Sequence, residues 1–425
     1  MRVVPAALLM LSLAGWAGAQ AAPAPAPAGP KISLDQAIRL ALAHSPTVAA
    51  AQSQIPQSQA EEVTAGLRPN PVLSWDALYL PVFEPQHLTG SYLNNSAEFD
   101  AGVSYTFERG GKRQARLHAA QDATSVIRAQ VQDTERGLEF AVAQQYVTAL
   151  LAESTLAFAQ QDLASWQNTV QLGQSQFRAG AISQGDLDTL QLQSLQYQEA
   201  VATARLARQQ ALTGLRQQIG FQAVPANFDV SGALAPPPPV TATLSQLEQL
   251  ALAHRPDWIA AQRGVTAAGS QLQLARADGK RDLTAGANYM HTAGLNDLGV
   301  VFSIEIPVFD RNQGEIARSV AAQSQASDLQ EQARQQVLTD VATALEAVDQ
   351  GRQVVNFYSS GYRDQALQAL TIRRYSFQRG ASSLLDLLDA ERTYRATELG
   401  YRQAVAADLL AVEQLKEAVG TRTLP

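Results

Sequence analysis

Two aspartates, Asp386 and Asp389, stand three residues apart in a helix-forming stretch, so both carboxylates share one helical face. Asp386 also follows Ser383 by three residues, as Asp186 follows Ser183. Ser-x-x-Asp at a helix start is a capping-box arrangement, and an acid there suits the helix dipole. Capping accounts for Asp186. Asp389 lies past the cap, where a carboxylate is free to act on whatever passes it. Other candidates for chemistry fall away. His44 and His254 occupy equivalent helix ends, where an imidazole meets the last carbonyls. His87, His118 and His291 have no ligand spacing, and two of the three methionines fall in the leader. Gly110, Gly111 and Lys112 do not make a phosphate loop, because no glycine stands five residues before Gly111. With no cysteine in the chain, disulfides, thiolate chemistry and a lipid-acceptor cysteine are excluded. No set offers nucleophile, base and oxyanion donors together, so neither an enzyme nor a resident metal or cofactor is expected.

The elements that carry these residues are written twice. LDQAIRLALAHSPTVAAAQ at 34–52 returns as LSQLEQLALAHRPDWIAAQ at 244–262. FERGGKRQARLHAAQ at 107–121 returns as FDRNQGEIARSVAAQ at 309–323, and FRAGAISQGDL at 177–187 as FQRGASSLLDL at 377–387. The order is kept at a nearly constant offset. Copies of roughly 200 residues are too long for solenoid units, so the chain is a tandem duplication. The first copy is assigned to 33–232 and the second to 243–420, joined by a Pro-rich linker at 233–242 and followed by a tail at 421–425.

Ahead of the copies, an apolar run and an Ala17-Gly18-Ala19 cleavage site make 1–19 a secretory signal. The Ala/Pro alternation at 20–32 reads as an extended tether. The net charge of −7 is dispersed and no basic run suggests nucleic acid. No apolar stretch of the mature chain reaches the ~20 residues of a spanning helix. Any crossing of a membrane must use strands.

Each copy opens with a short capped helix, stopped by His-Ser-Pro or His-Arg-Pro, then a second helix of about 20 residues, to about Leu67 and about Ala277. The pattern then changes to period two. Phe99, Ala101, Val103, Tyr105 and Phe107 alternate with smaller or polar residues, as do Leu298, Val300, Phe302, Ile304 and Ile306. The hairpins are placed at about 71–107 and 282–308, the first with a longer loop at 82–97. Long helical hairpins follow at about 111–220 and 313–420, reversing at Gly180 and Gly380. An unbroken helix of ~65 residues spans about 100 Å, and must lie against others of its kind. The predicted class is mainly α with a small membrane β part: long antiparallel helical hairpins plus four β-strands per subunit.

Four strands leave two open edges, which hydrocarbon does not tolerate. The smallest membrane barrels use about eight strands, so several subunits must complete one barrel. The pattern alone leaves two copies or three.

The chain resembles the TolC-type outer-membrane efflux channels over nearly its whole mature length. RPNPVLSW, FERGGKR, IPVFDRNQGEIA and QRGASSLLDLLDAER are most similar to the cation-efflux, Czc-type branch. The resemblance implies a homotrimer with a 12-stranded β-barrel in the outer membrane, in contact with its lipid, on a 12-helix α-barrel reaching through the periplasm. It implies a periplasmic adaptor, or membrane fusion protein, docking at the turns Gly180, Ala181, Ile182 and Gly380, Ala381, Ser382. The implied energy source is an inner-membrane pump of the RND type. By the same resemblance Asp386 and Asp389, with Asp186 in the first copy, lie at the periplasmic gate. Ser382 stands where relatives carry a basic residue. Many relatives carry a lipidated cysteine that this chain lacks, so anchoring is expected to rest on the barrel. The rival is a periplasmic coiled-coil scaffold or adaptor, which would not need an apolar face on all four strands.

Overall fold

The computed structural model describes residues 29–425; the leader and residues 20–28 of the tether fall outside that range. In chain order the first copy contains β1 (Lys31–Ile32), α1 (Leu34–His44), α2 (Pro46–Gln52), α3 (Gln54–Gly66), β2 (Val72–Leu78) and α4 (Gly90–Asn95). It continues with β3 (Glu98–Phe107), α5 (Lys112–Arg178), α6 (Gln184–Ile219) and β4 (Asp229–Val230). The second copy contains α7 (Leu244–His254), α8 (Pro256–Asp278), β5 (Leu283–Thr292), β6 (Leu295–Ile304), α9 (Gln313–Phe357), α10 (Arg363–Gln378) and α11 (Leu384–Val419). No helix of the described residues is long and apolar enough to cross a membrane.

Local chemistry sets most boundaries. Ser33 with Gln36, and Thr243 with Gln246, form reciprocal capping boxes at α1 and α7. Pro46 and Pro256 open the next helices, where their missing N–H costs nothing. The single second helix expected in the first copy is broken at Ser53, whose hydroxyl donates to the Ala49 carbonyl at 2.9 Å. Such back-bonding bends helices. The second copy has Arg263 at this place and α8 runs on unbroken.

Three further expectations need correction. The end of the tether is tied down, since β1 pairs in parallel with β4. The loop at 82–97 contains a 3-10 turn at Pro85–His87 and the helix α4. The second long helix is not continuous: a π-helical turn at Tyr358–Tyr362, with Gly361 at φ 118°, separates α9 from α10.

The two hairpins join into one antiparallel sheet in the order β2-β3-β5-β6. Pairing of β3 with β5 aligns the copies, and the register extends their alternation across all four strands. Leu73, Val103, Ala287 and Val300 form one cross-strand row, and Trp75, Ala101, Tyr289 and Leu298 another. The other face carries rows such as Ser74, Gly102, Asn288 and Gly299. Ala293 and Gly294, both at positive φ, make the two-residue turn between β5 and β6. The apolar row is bare within one subunit: Leu73, Trp75, Leu298 and Val300 are all exposed.

The helical body has no single centre. α3 and α6 both lie along α5, and α8 lies between α5 and α9. One core joins α1, α5 and α6 around Val142, Leu212 and Leu215; a matching core joins α7, α9 and α11 around Leu247, Val341 and Leu415. The linker is docked on the second copy, where the Arg352 guanidinium donates to the Pro237 and Pro238 carbonyls. At the end farthest from the sheet the copies share a core built on Trp166, Leu190, Tyr197, Leu370, Phe377 and Leu387.

Candidate gate and docking site at the helical tips

Each long hairpin reverses through the same hydrogen-bonded turn. Gly180 and Gly380 take φ 71° and 68°, a left-handed conformation that glycine adopts without a side-chain clash. The Ala181 N–H donates to the Gln176 carbonyl and the Gly180 N–H to that of Phe177, a Schellman closure; Ala381 and Gly380 repeat it on Ser376 and Phe377. Between the turns lies a groove of about 570 Å3, lined by Ala181, Ile182 and Asp186 from one and by Gly380 and Ser382 from the other. The Gln176 amide spans it, donating to the Phe377 and Gln378 carbonyls at 3.2 and 3.3 Å. The two sets of turn residues singled out from the sequence are thus neighbours.

Asp186 and Asp386 sit in identical settings. Each accepts from its serine hydroxyl at 2.8 Å and from the serine N–H at 3.2 Å, and each returns the bond through its own N–H. Asp386 is therefore as fully a capping residue as Asp186, and the serine hydroxyl followed by the serine N–H holds its carboxyl below the usual range. Asp389 does differ: it pairs with Arg392 at 2.8 Å on an open surface, with side chains 64% and 83% exposed. Both line a cleft of about 280 Å3 between α6 and α11, with Gln193, Gln196, Leu385 and Arg395. Arg392 was missed by sequence reasoning; its signal is the one-turn spacing from Asp389.

Beneath this cleft is a buried charge cluster with no local sequence signature, because its members come from three helices. Asp162 of α5 meets Arg395 of α11 at 2.8 Å, and Arg374 of α10 meets Glu391 of α11 at 2.6 Å. The Arg395 guanidinium covers the Tyr197 ring at 4.3 Å, and that ring stacks on Trp166 at 5.0 Å. Burial pushes the Asp162 carboxyl up to about 6, with Arg395 opposing the rise. Burial and the nearby Glu391 and Asp162 likewise raise the Tyr197 hydroxyl.

The histidines are spread through the molecule. The Nδ1–H groups of His44 and His254 donate to the Leu40 and Leu250 carbonyls at 2.9 and 3.0 Å, closing helix ends. His118 bonds Gln114 within α5, His87 lies 3.3 Å from Glu84, and His291 near the end of β5 bridges Asn296 of β6 and the Asn94 carbonyl of α4.

Comparison with known proteins bears on this architecture directly. Pyoverdine export outer membrane protein OpmQ of Pseudomonas putida is 28% identical over 426 residues, covering 91% of this chain and 85% of its own. Cobalt-zinc-cadmium resistance protein CzcC of Cupriavidus metallidurans is 24% identical, covering 92% and 91%. Among solved structures, the outer membrane protein VceC of Vibrio cholerae superposes with a TM-score of 0.74 at 20% identity, covering 91% of this chain and 96% of that one. The Outer membrane efflux protein family model matches twice, at 37–221 and 247–421, once on each copy. A duplicated unit, strands with a bare apolar face and long paired helices thus come together in one assignment: this chain belongs to the outer membrane efflux protein family, of TolC type, and acts at the cell outer membrane.

Proposed function

We propose that this protein is the passive exit duct of a tripartite efflux machine. Three copies complete a 12-stranded barrel in the outer membrane and a 12-helix tunnel below it. Solute enters from a periplasmic adaptor and an inner-membrane pump of the RND type, which supplies the energy, and leaves through the barrel. One observation carries this reading: the sheet ends in two edge strands, β2 and β6, whose outer edges are unpaired, while its register gathers one apolar face. Hydrocarbon rejects open edges, and head-to-tail pairing of β6 with the next copy's β2 removes them in a ring. The apolar face then meets lipid and the Ser/Gly/Asn rows line water.

The lack of native cysteine makes the test clean. Ser303→Cys, combined with single cysteines along β2, should give disulfide-linked pairs and trimers in membranes. Monomers at every register, with no conductance in planar bilayers, would overturn the reading.

The tips supply control and coupling. The groove between the Gly180 and Gly380 turns suits the tip of an adaptor hairpin, and around a three-fold axis Asp386 and Asp389 become stacked carboxylate rings at the periplasmic gate, with Asp186 on the docking side. Carboxylate rings favour cations and narrow an opening. The Arg392 partner limits that charge at Asp389. An Asp386→Asn, Asp389→Asn double variant should change single-channel conductance and weaken cation preference; unchanged values would remove both residues from the gate. Relatives of similar identity are named for pyoverdine export and for cobalt-zinc-cadmium resistance. That spread fits a wide duct whose cargo is chosen by the pump.

A further inference from the structure

Four segments distant in sequence converge where the sheet meets the helices. The Arg113 and Arg116 guanidinium groups donate to the Gly66 and Leu67 carbonyls, the Arg109 N–H donates to Asp282, and Arg281 reaches the Asp310 carbonyl. The backbone at Gly279 is packed on the Arg311 carbonyl. At this rim the apolar face of the sheet continues past the ordered strands. Phe107 ends β3 on that face, and Ile306 extends the parity of Phe302 and Ile304. Val308 and Phe309 follow, and Ile306 and Phe309 are 77% and 90% exposed. Phe107 is half-covered, with Tyr105 edge-on to its ring.

Immediately beyond the apolar wedge stand exposed cations. Arg68, Arg109, Lys280 and Arg311 are all at the surface. The side chains of Arg68, Arg109 and Lys280 make no ion pair among the described residues, and the Arg311 guanidinium donates to the Pro307 carbonyl. The duplication wrote this arrangement twice, as Phe107-Glu108-Arg109 and Phe309-Asp310-Arg311. Moving from strand to helix, the surface changes from apolar to aromatic to cationic within a few residues. An anionic phospholipid presents the complementary sequence: acyl chain, glycerol region, phosphate.

We propose that this rim is a collar for anionic phospholipid of the periplasm-facing leaflet. Phe107, Ile306 and Phe309 enter the acyl region, and Arg109 and Arg311 bind headgroup phosphates. The side is set by the helical body, which begins at this rim; the inference therefore rests on the proposed exit duct. It commits to phospholipid because the loops at the opposite, outward end of the sheet, around residues 79–97 and 293–294, hold no lysine or arginine.

The test uses the full-length protein extracted in detergent and offered phosphatidylglycerol, phosphatidylcholine or lipid A, with retained lipid read by native mass spectrometry. Wild type should keep phosphatidylglycerol in preference to the other two. Arg109→Gln with Arg311→Gln should lower its retention at least about tenfold, since each basic group near an anionic surface contributes appreciably. Arg109→Lys with Arg311→Lys should restore much of it, and both variants should still conduct in planar bilayers. Equal retention in wild type and the glutamine variant would overturn the collar, as would equal loss of phosphatidylcholine or a preference for lipid A. Pores without phosphatidylglycerol preference would defeat only this inference; absence of pores would defeat the duct itself.

Discussion

The two long helices of the duplication began as the same stretch and differ in one place. In the first copy α5 runs 67 residues without interruption. In the second, α9 gives way at Tyr358–Tyr362 before α10 resumes. The second copy is two residues shorter between Phe309 and Phe377 than the first between Phe107 and Phe177. Two residues out of register would rotate the downstream seam by about 200°, away from its neighbours. A wide turn absorbs one further residue, so the helix loses close to a full turn of 3.6 and the seam returns near its phase. Phe377 and Leu370 accordingly still reach the shared core. The bulge is held by its surroundings: Arg363 pairs with Glu398 and covers Tyr401, and Tyr358 lies edge-on to Tyr401. The first copy has Phe158 and Ala159 at this level, buried against α6 and α11. Duplicated helices can differ mid-span provided that the phase of the apolar seam is restored before the next contact.

If the copies are equivalent outside the bulge, matched core substitutions should cost alike. Leu215→Ala and Leu415→Ala each empty a fully buried site and should each lose about 2–5 kcal/mol, read as matched drops in the thermal midpoint of the extracted protein. Losses differing by more than about 2 kcal/mol would break the equivalence, since the spread at fixed chemistry reflects local collapse. The charge cluster between copies should make stability depend on pH. Asp162 binds its proton near pH 6 when folded and near 3.8 when unfolded, so between those values the folded state holds the extra proton. Its contribution falls as pH rises through that window. Wild type should therefore gain midpoint relative to Asp162→Asn on moving from pH 7.5 to pH 5; parallel profiles would exclude Asp162 as the source.

At the bulge, Gly361→Ala forces a side chain into φ 118° and should cost about 1–3 kcal/mol, whereas Ala159→Gly in the straight helix should cost about 1 kcal/mol or less. A neutral Gly361→Ala would mean that the turn repacks easily and the phase argument is wrong. The smallest effect belongs to the caps: Ser183→Ala and Ser383→Ala should each cost about 1 kcal/mol, by hydrogen exchange at the first turns of α6 and α11. Unequal values would show that the Asp186 and Asp386 settings differ after all.

The features legible in the sequence are those whose cause lies within a few residues. The capped start of α1, Ser383 with Asp386, the glycine turns and the alternation from Phe99 to Phe107 are local patterns, and each appears in the structure as read. The Ser53 break and the Gly361 bulge were hidden because a serine or glycine inside a helical pattern is usually tolerated. Comparison of the copies exposes both. Pairing of β3 with β5, and the meeting of Asp162 with Arg395, join residues far apart in sequence and leave no periodic trace. At the tips, the turns were readable and the carboxylates identifiable, while Arg392 became visible only as the partner of Asp389.

The central β3–β5 ladder sets an order for biogenesis. Phe107 pairs with Leu283 and Glu98 with Thr292, so the sheet's middle seam cannot form until β5 of the second copy has been synthesised and exported. Contacts of such high contact order form slowly. Through that interval the first hairpin, with Trp75 and Tyr105, stays an unfinished apolar edge of the kind that aggregates. Periplasmic chaperones that shelter nascent strands should therefore limit the yield of this protein, and a chain truncated after the first copy should accumulate as their client.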